Sequence, residues 1–259
     1  MKKWMWVFCA VFVVAALQPL EAAVVSVRFA EGVAHGFLVL RGVNGATLAQ
    51  GDLLQIGRDG EIDKRMVFRF KDGSVFDEKV TYTERGAYAL KSYSLLETGP
   101  AFAEDRDISM TASTGAYRVK TKDHNGGREA VLEGRLDLPP DCYNGMILTI
   151  VKDLPKGAGG IIHFVAFTPQ PKLIELALTP VGEQPFVVGE LTKTAVHYVL
   201  KPRLGMWLTF FATILRRMPE DLHAWILTDE VPAFVAFQGS LTAPGPVWRI
   251  ELVSPRRPE

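Results

Sequence analysis

Cysteine is nearly missing from this chain, whose 259 residues include only 2, Cys9 and Cys142. So few thiols exclude a disulfide framework or a clustered thiolate metal site. Net charge is missing as well, because 29 Lys+Arg balance 29 Asp+Glu. A neutral balance gives no electrostatic pull toward nucleic acid, and no such partner is expected. Histidine is sparse, at 5 residues, and forms no His-x-His or His-x-x-x-His pair. Also absent are a Gly-x-Ser-x-Gly elbow, a Walker loop and a strand–Gly-x-Gly-x-x-Gly–helix unit, so no cofactor is implied and no strong reason for an enzyme arises. The chain has no long linker, repeat or low-complexity tract. What it does have is 48% hydrophobic and 22% charged residues, a globular balance that excludes a largely disordered polymer.

The start of the chain reads as an export signal. Lys2 and Lys3 precede the uncharged, apolar run from Trp4 to Leu17; Pro19 then breaks the pattern before small residues at Ala22 and Ala23. That order is the layout of a secretory signal peptide over residues 1–22. The run falls short of the ~20 residues that span a bilayer. Val7 and Phe8 before Cys9 do not suit a lipid-attachment site. Removing the signal leaves one β-rich domain over 23–259, periplasmic or otherwise exported, with 27 basic and 28 acidic side chains. Cys142 is then the lone thiol. It precedes Tyr143 near an expected helix start, yet a buried structural cysteine is the default for this residue type.

Short alternating runs dominate residues 24–138. Val25, Val27 and Phe29, then Met66, Phe68 and Phe70, then Phe76, Val80 and Tyr82 alternate with polar neighbours. Asp72-Gly73 and Asn125-Gly126 supply tight turns, and Tyr117, Val119 and Thr121 continue the rhythm. Such runs predict antiparallel hairpins with one oily and one wet face. Further strands are expected at Ile161–Phe167, Leu173–Leu178, Phe186–Val188, Ala195–Leu200, His223–Leu227, Ala233–Phe237 and Val247–Val253. The fold class is all-β: an antiparallel open barrel or half-barrel of about ten or more strands, with one or two short amphipathic helices.

Two segments break the strand rhythm. Asp141 is expected to cap a helix with an apolar stripe of Tyr143, Ile147, Ile150, Val151 and Leu154, stopped by Pro155 and Gly157. Between Gly205 and Pro219, Trp207, Phe210, Phe211, Ile214 and Leu215 all fall on one helix face. Burying five such side chains is worth on the order of 10 kcal/mol, so that face needs a cover. The segment packs against the core, forms a lid over an apolar pocket, or lies in a membrane interface.

Few residues suggest chemistry. His163, His197 and His223 each fall in a predicted strand and would make a three-histidine metal site if those strands converged, although separate sheet histidines are the plainer reading. Glu78 interrupts the apolar face between Phe76 and Val80; it reads as an edge protector or a slip of register before it reads as an inward general acid.

Asp137-Leu138-Pro139-Pro140-Asp141 with Asn144-Gly145-Met146, and Trp225-Ile226-Leu227-Thr228-Asp229 through Pro232, carry a resemblance. The chain from Asp137 onward is similar to exported β-rich bacterial proteins of unknown function. These in turn resemble the periplasmic lipoprotein-carrier half-barrels of outer-membrane lipoprotein localisation. The resemblance implies a curved sheet whose concave face shelters an acyl chain, and it transfers no functional residue. The aromatic stretch at 205–219 departs from the carrier pattern. The leading expectation is an exported, non-enzymatic envelope protein binding an apolar or lipid-like ligand beneath Trp207, Phe210, Phe211 and Ile214. The alternatives are an interaction protein docking on another envelope component or a membrane surface, and a metal-dependent hydrolase.

Overall fold

The computed structural model describes residues 24–124, 127–168, 170–188, 191–203, 220–229, 231–242 and 245–253. The export signal and the helix expected over 205–219 lie outside the described residues, as does the Asn125-Gly126 turn. Among the described residues, fourteen strands form one antiparallel sheet. Eight run as a meander: β1 (Ala34–Gly42), β2 (Thr47–Arg58), β3 (Glu61–Phe70), β4 (Val75–Arg85), β5 (Ala87–Thr98), β6 (Asp105–Thr111), β7 (Ala116–Lys122) and β8 (Glu129–Arg135). Six more form a second meander: β9 (Gly160–Ala166), β10 (Lys172–Val188), β11 (Leu191–Arg203), β12 (Leu222–Leu227), β13 (Ala233–Ser240) and β14 (Val247–Val253). The two halves join where β1 pairs with β14, Leu40 opposite Ile250. The sheet is therefore open between β8 and β9.

The turns follow from local chemistry. Between β3 and β4, Phe70 N–H donates to Ser74 C=O at 2.9 Å, and Asp72 Oδ1 accepts from Ser74 N–H at 2.9 Å. Gly73 takes φ +88 there, which a side chain would resist. Strand alternation then sends one row of each strand inward. Leu40, Ile250, Phe237, Ala224 and Tyr198 stand opposite one another from β1 through β14 to β11, and all are buried. The neighbouring outward row runs Val39, Glu251, Ala236, Trp225 and His197.

The connection from β8 to β9 packs against the inward-facing residues of the sheet. It contains the one helix among the described residues, α1 (Ile147–Asp153). Tyr143, Met146, Ile150 and Val151 from this connection are buried against Phe68, Phe76, Tyr82, Tyr88 and Tyr198 of the sheet. Asp153 holds the α1 end in place, its two carboxylate oxygens accepting from Arg28 N–H and Phe29 N–H at 3.0 Å each. Tyr143 Oη accepts from Val25 N–H at 3.1 Å, and Lys152 pairs with Glu31. The segment ahead of β1 is thus tied to the plug as well as to the sheet.

Several expectations need correction. The helix starts six residues later than Asp141, with Met146 as its flanking residue. Gly145 at φ +70 is incompatible with a helical turn, so Tyr143 lies ahead of the helix instead of on its stripe. The separate strands at Leu173–Leu178 and Phe186–Val188 are one 17-residue strand, β10, which crosses Pro180 through a bulge at Pro180/Gly182. β2 and β6 are additional strands. No helix among the described residues is long and apolar enough to cross a membrane.

Candidate functional site

The residues singled out by sequence scatter over three places. Cys142 is buried beside the β9 edge; burial pushes its thiol up to about 12, a poor nucleophile at neutral pH. His163 on β9 hydrogen-bonds Asp141 through Nδ1, 2.8 Å from Oδ2. Asp141 is therefore a partner to a strand histidine and not a helix cap. His197 and His223 do meet, Nε2 to Nδ1 at 3.0 Å, on adjacent strands β11 and β12. His197 also stacks on Trp225 at 4.6 Å and 8°, and burial followed by the nearby His223 lowers its pKa. His163 does not join them, because it pairs with Glu175 while His197 pairs with Gly182, well along β10. No group of three or more His, Cys, Asp or Glu that could hold a metal occurs among the described residues. Trp207, Phe210, Phe211 and Ile214 lie outside the described residues.

Glu78 points inward, and β4 is an interior strand, so it protects no edge. Tyr93 donates its hydroxyl to Glu78 Oε1 at 3.2 Å. Burial raises the Glu78 carboxyl above the usual carboxylate range, against the pull of the Lys64 ammonium on the neighbouring strand. Lys64 itself is lowered by burial and donates to Gly145 C=O at 3.2 Å. Alongside, Arg106 Nε donates to Glu97 Oε2 at 2.7 Å, and Arg106 Nη1 donates to Phe167 C=O at 3.2 Å. This second pair spans the opening between the β6 side and the end of β9. Sequence reading weighed an inward Glu78 and singled out none of Lys64, Glu97 and Arg106; their inward positions follow from strand parity, which marks Arg106 and Ile108 as one face.

The two free ends of the sheet are treated differently. The β9 edge is covered by the chain's own plug. His163 N–H donates to Asp141 C=O at 3.0 Å and Tyr143 N–H to His163 C=O at 2.8 Å. One step on, Asn144 pairs both ways with Val165, its side chain accepting at 2.8 Å and donating at 2.9 Å. The β8 edge has no such cover among the described residues. Leu136 N–H bonds Gly115 C=O and Asp123 N–H bonds Arg128 C=O, which fixes the parity of the β7–β8 ladder. By the alternation of antiparallel ladders, Glu129, Val131, Glu133 and Arg135 then turn their N–H and C=O groups away from β7. Val131 is 50% exposed and Leu132 38%. A bare ladder edge with exposed apolar side chains is a template for another strand. Sequence reading placed a strand here but had no means of learning that it stands at an edge.

Among solved structures, the chain is similar to a beta-barrel-like protein of a domain of unknown function, DUF1849, from Brucella abortus. The TM-score is 0.44 at 10% identity, over 90% of this chain and 98% of that one. No family model and no curated protein matches.

Proposed function

We propose that this is an exported, non-enzymatic interaction protein of the cell envelope, which recruits its partner by strand addition at β8. The observation that carries this reading is the contrast between the edges: the chain seals β9 with residues 141–144 and, among the described residues, leaves β8 bare. Main-chain hydrogen bonding supplies affinity in such docking, and the side chains of the edge supply selectivity. The packing of the plug on the inner face of the sheet favours this reading over a lipid shelter among the described residues. Export rests on the signal-like residues 1–22.

The test places a photo-crosslinking side chain at Glu133 in the intact envelope. Discrete adducts are expected, and they should disappear when Val131→Pro removes an outward amide. Cells that yield no adduct at Glu133 overturn the reading.

A further inference from the structure

We infer that the strand taken up by β8 is β8 of a second copy of this chain, paired about a two-fold axis at Leu132. This rests on the strand-addition reading above and adds the identity of the partner. Four outward-facing residues set the possibilities: Glu129, Val131, Glu133 and Arg135. A two-fold axis makes two edges antiparallel, and outward residues must face outward residues for the ladder to continue.

Three registers pair three or more of these positions, whereas centring on Ala130 or Gly134 pairs only two. Centring on Val131 sets Glu129 against Glu133 of the other copy. Centring on Glu133 sets that carboxylate against its own copy. Both oppose like charges, which is destabilising for residues directly across a ladder. Centring on Leu132 sets Glu129 against Arg135 twice, once at each end, and Val131 against Glu133. Of these three, this register alone is complementary in charge, and it pairs all four outward residues.

The other features of the edge fit the same arrangement. Arg135 has no ion pair within the chain among the described residues, whereas Glu129 and Glu133 are already held by Lys120 at 2.9 Å and Arg118 at 3.1 Å. Arg135 is thus a cation without a counter-charge among the described residues, at the position where the second copy presents Glu129. Leu132 faces the inner side with Val119 and Ile108, its cross-strand neighbours, which are both buried. At the axis the two Leu132 residues form a non-hydrogen-bonded pair, the kind in which side chains approach most closely. The apolar row would then run on from one copy into the other. Edge charges usually discourage strand pairing; here they reject the wrong registers and accept one, which is specificity by repulsion.

A single strand pair is a small interface, so association is reversible and depends on concentration. Sedimentation velocity on the purified protein, from micromolar to hundreds of micromolar, should show a monomer–dimer equilibrium. Arg135→Glu, and separately Glu129→Arg, should each leave the protein monomeric throughout with an unchanged melting profile. Combining Glu129→Arg with Arg135→Glu reverses both charges and should restore the dimer. A wild-type protein that stays monomeric overturns the inference, as does a double variant that fails to recover. Crosslinking at Glu133 separates the two levels of the argument. An adduct of twice the chain mass supports the second copy. Adducts of another mass only, with a monomeric protein, overturn the second copy and leave strand addition standing. No adduct removes both.

Discussion

Replacing Arg106 by Met is the most informative perturbation of the interior. Its side chain and that of Glu97 are 9% and 2% accessible, with Nε 2.7 Å from Oε2. Glu97 Oε1 is buried without a hydrogen-bond partner among the described residues, so this carboxylate depends on Arg106 for its compensation. Deleting one member of a buried pair strands the other charge at a cost of about 3–5 kcal/mol. The Phe167 carbonyl loses its donor in the same step. For a domain of this size each kcal/mol moves the melting temperature by roughly 2–4 °C, so Arg106→Met should lower it by about 6–20 °C. The double variant Glu97→Leu, Arg106→Met removes both charges and leaves chiefly the unpaired Phe167 carbonyl, a cost of about 1–3 kcal/mol. Urea unfolding of the wild type, both singles and the double gives the cycle directly. If Arg106→Met costs under about 1 kcal/mol, or the double costs as much as the two singles together, the charge is compensated elsewhere and the reasoning fails.

Three further outcomes follow from the structure. Gly115 sits at φ +63 with the Leu136 carbonyl oxygen 1.8 Å from where a Cβ would be, so Gly115→Ala should lower stability in urea by more than the ~1 kcal/mol of an open left-handed site. Cys142, with its thiol near 12 and buried, should resist iodoacetamide at pH 8 in the native protein and react once urea unfolds it. His197 has a lowered pKa when folded, so the unfolded chain takes up the proton first; its contribution to stability is complete above about pH 6.5 and is lost as pH falls through the folded value. Urea midpoints at pH 7.5 and 5 should therefore differ less in His197→Phe, which keeps a ring on Trp225, than in the wild type.

Much of the sheet was legible because its strands alternate cleanly. Met66, Phe68 and Phe70, the Asp72-Gly73 turn, and Phe76, Val80 and Tyr82 reappear as β3, its turn and β4. The whole of β14 was legible as well. β2 was not, because Gly51 and polar letters interrupt it. A Cβ on Gly51 would lie 2.4 Å from the Phe68 ring, so the gap in the pattern is the place where a cross-strand aromatic packs. β6 was hidden by Arg106, an inward residue written with an outward letter. The plug was half legible: its apolar spacing showed a helix, while the left-handed backbone at Gly145 that delays it has no periodic signal. The candidate interaction edge depends on strand order, and no local pattern states which strand lacks a neighbour.

The seam between β1 and β14 ties Arg41 to Glu251, 210 positions further along the chain. A polypeptide made from its N-terminus can build the first meander early, yet β1 must wait with a naked flank until nearly everything else has been synthesised. Pairing over such a separation is slow and leaves adhesive intermediates exposed. A ribosome halting just before Val247 would therefore release a molecule with two sticky margins, β1 and β13, in place of a sealed joint. Cells producing this protein would need either a holding chaperone or rapid completion to keep such nascent chains from clumping.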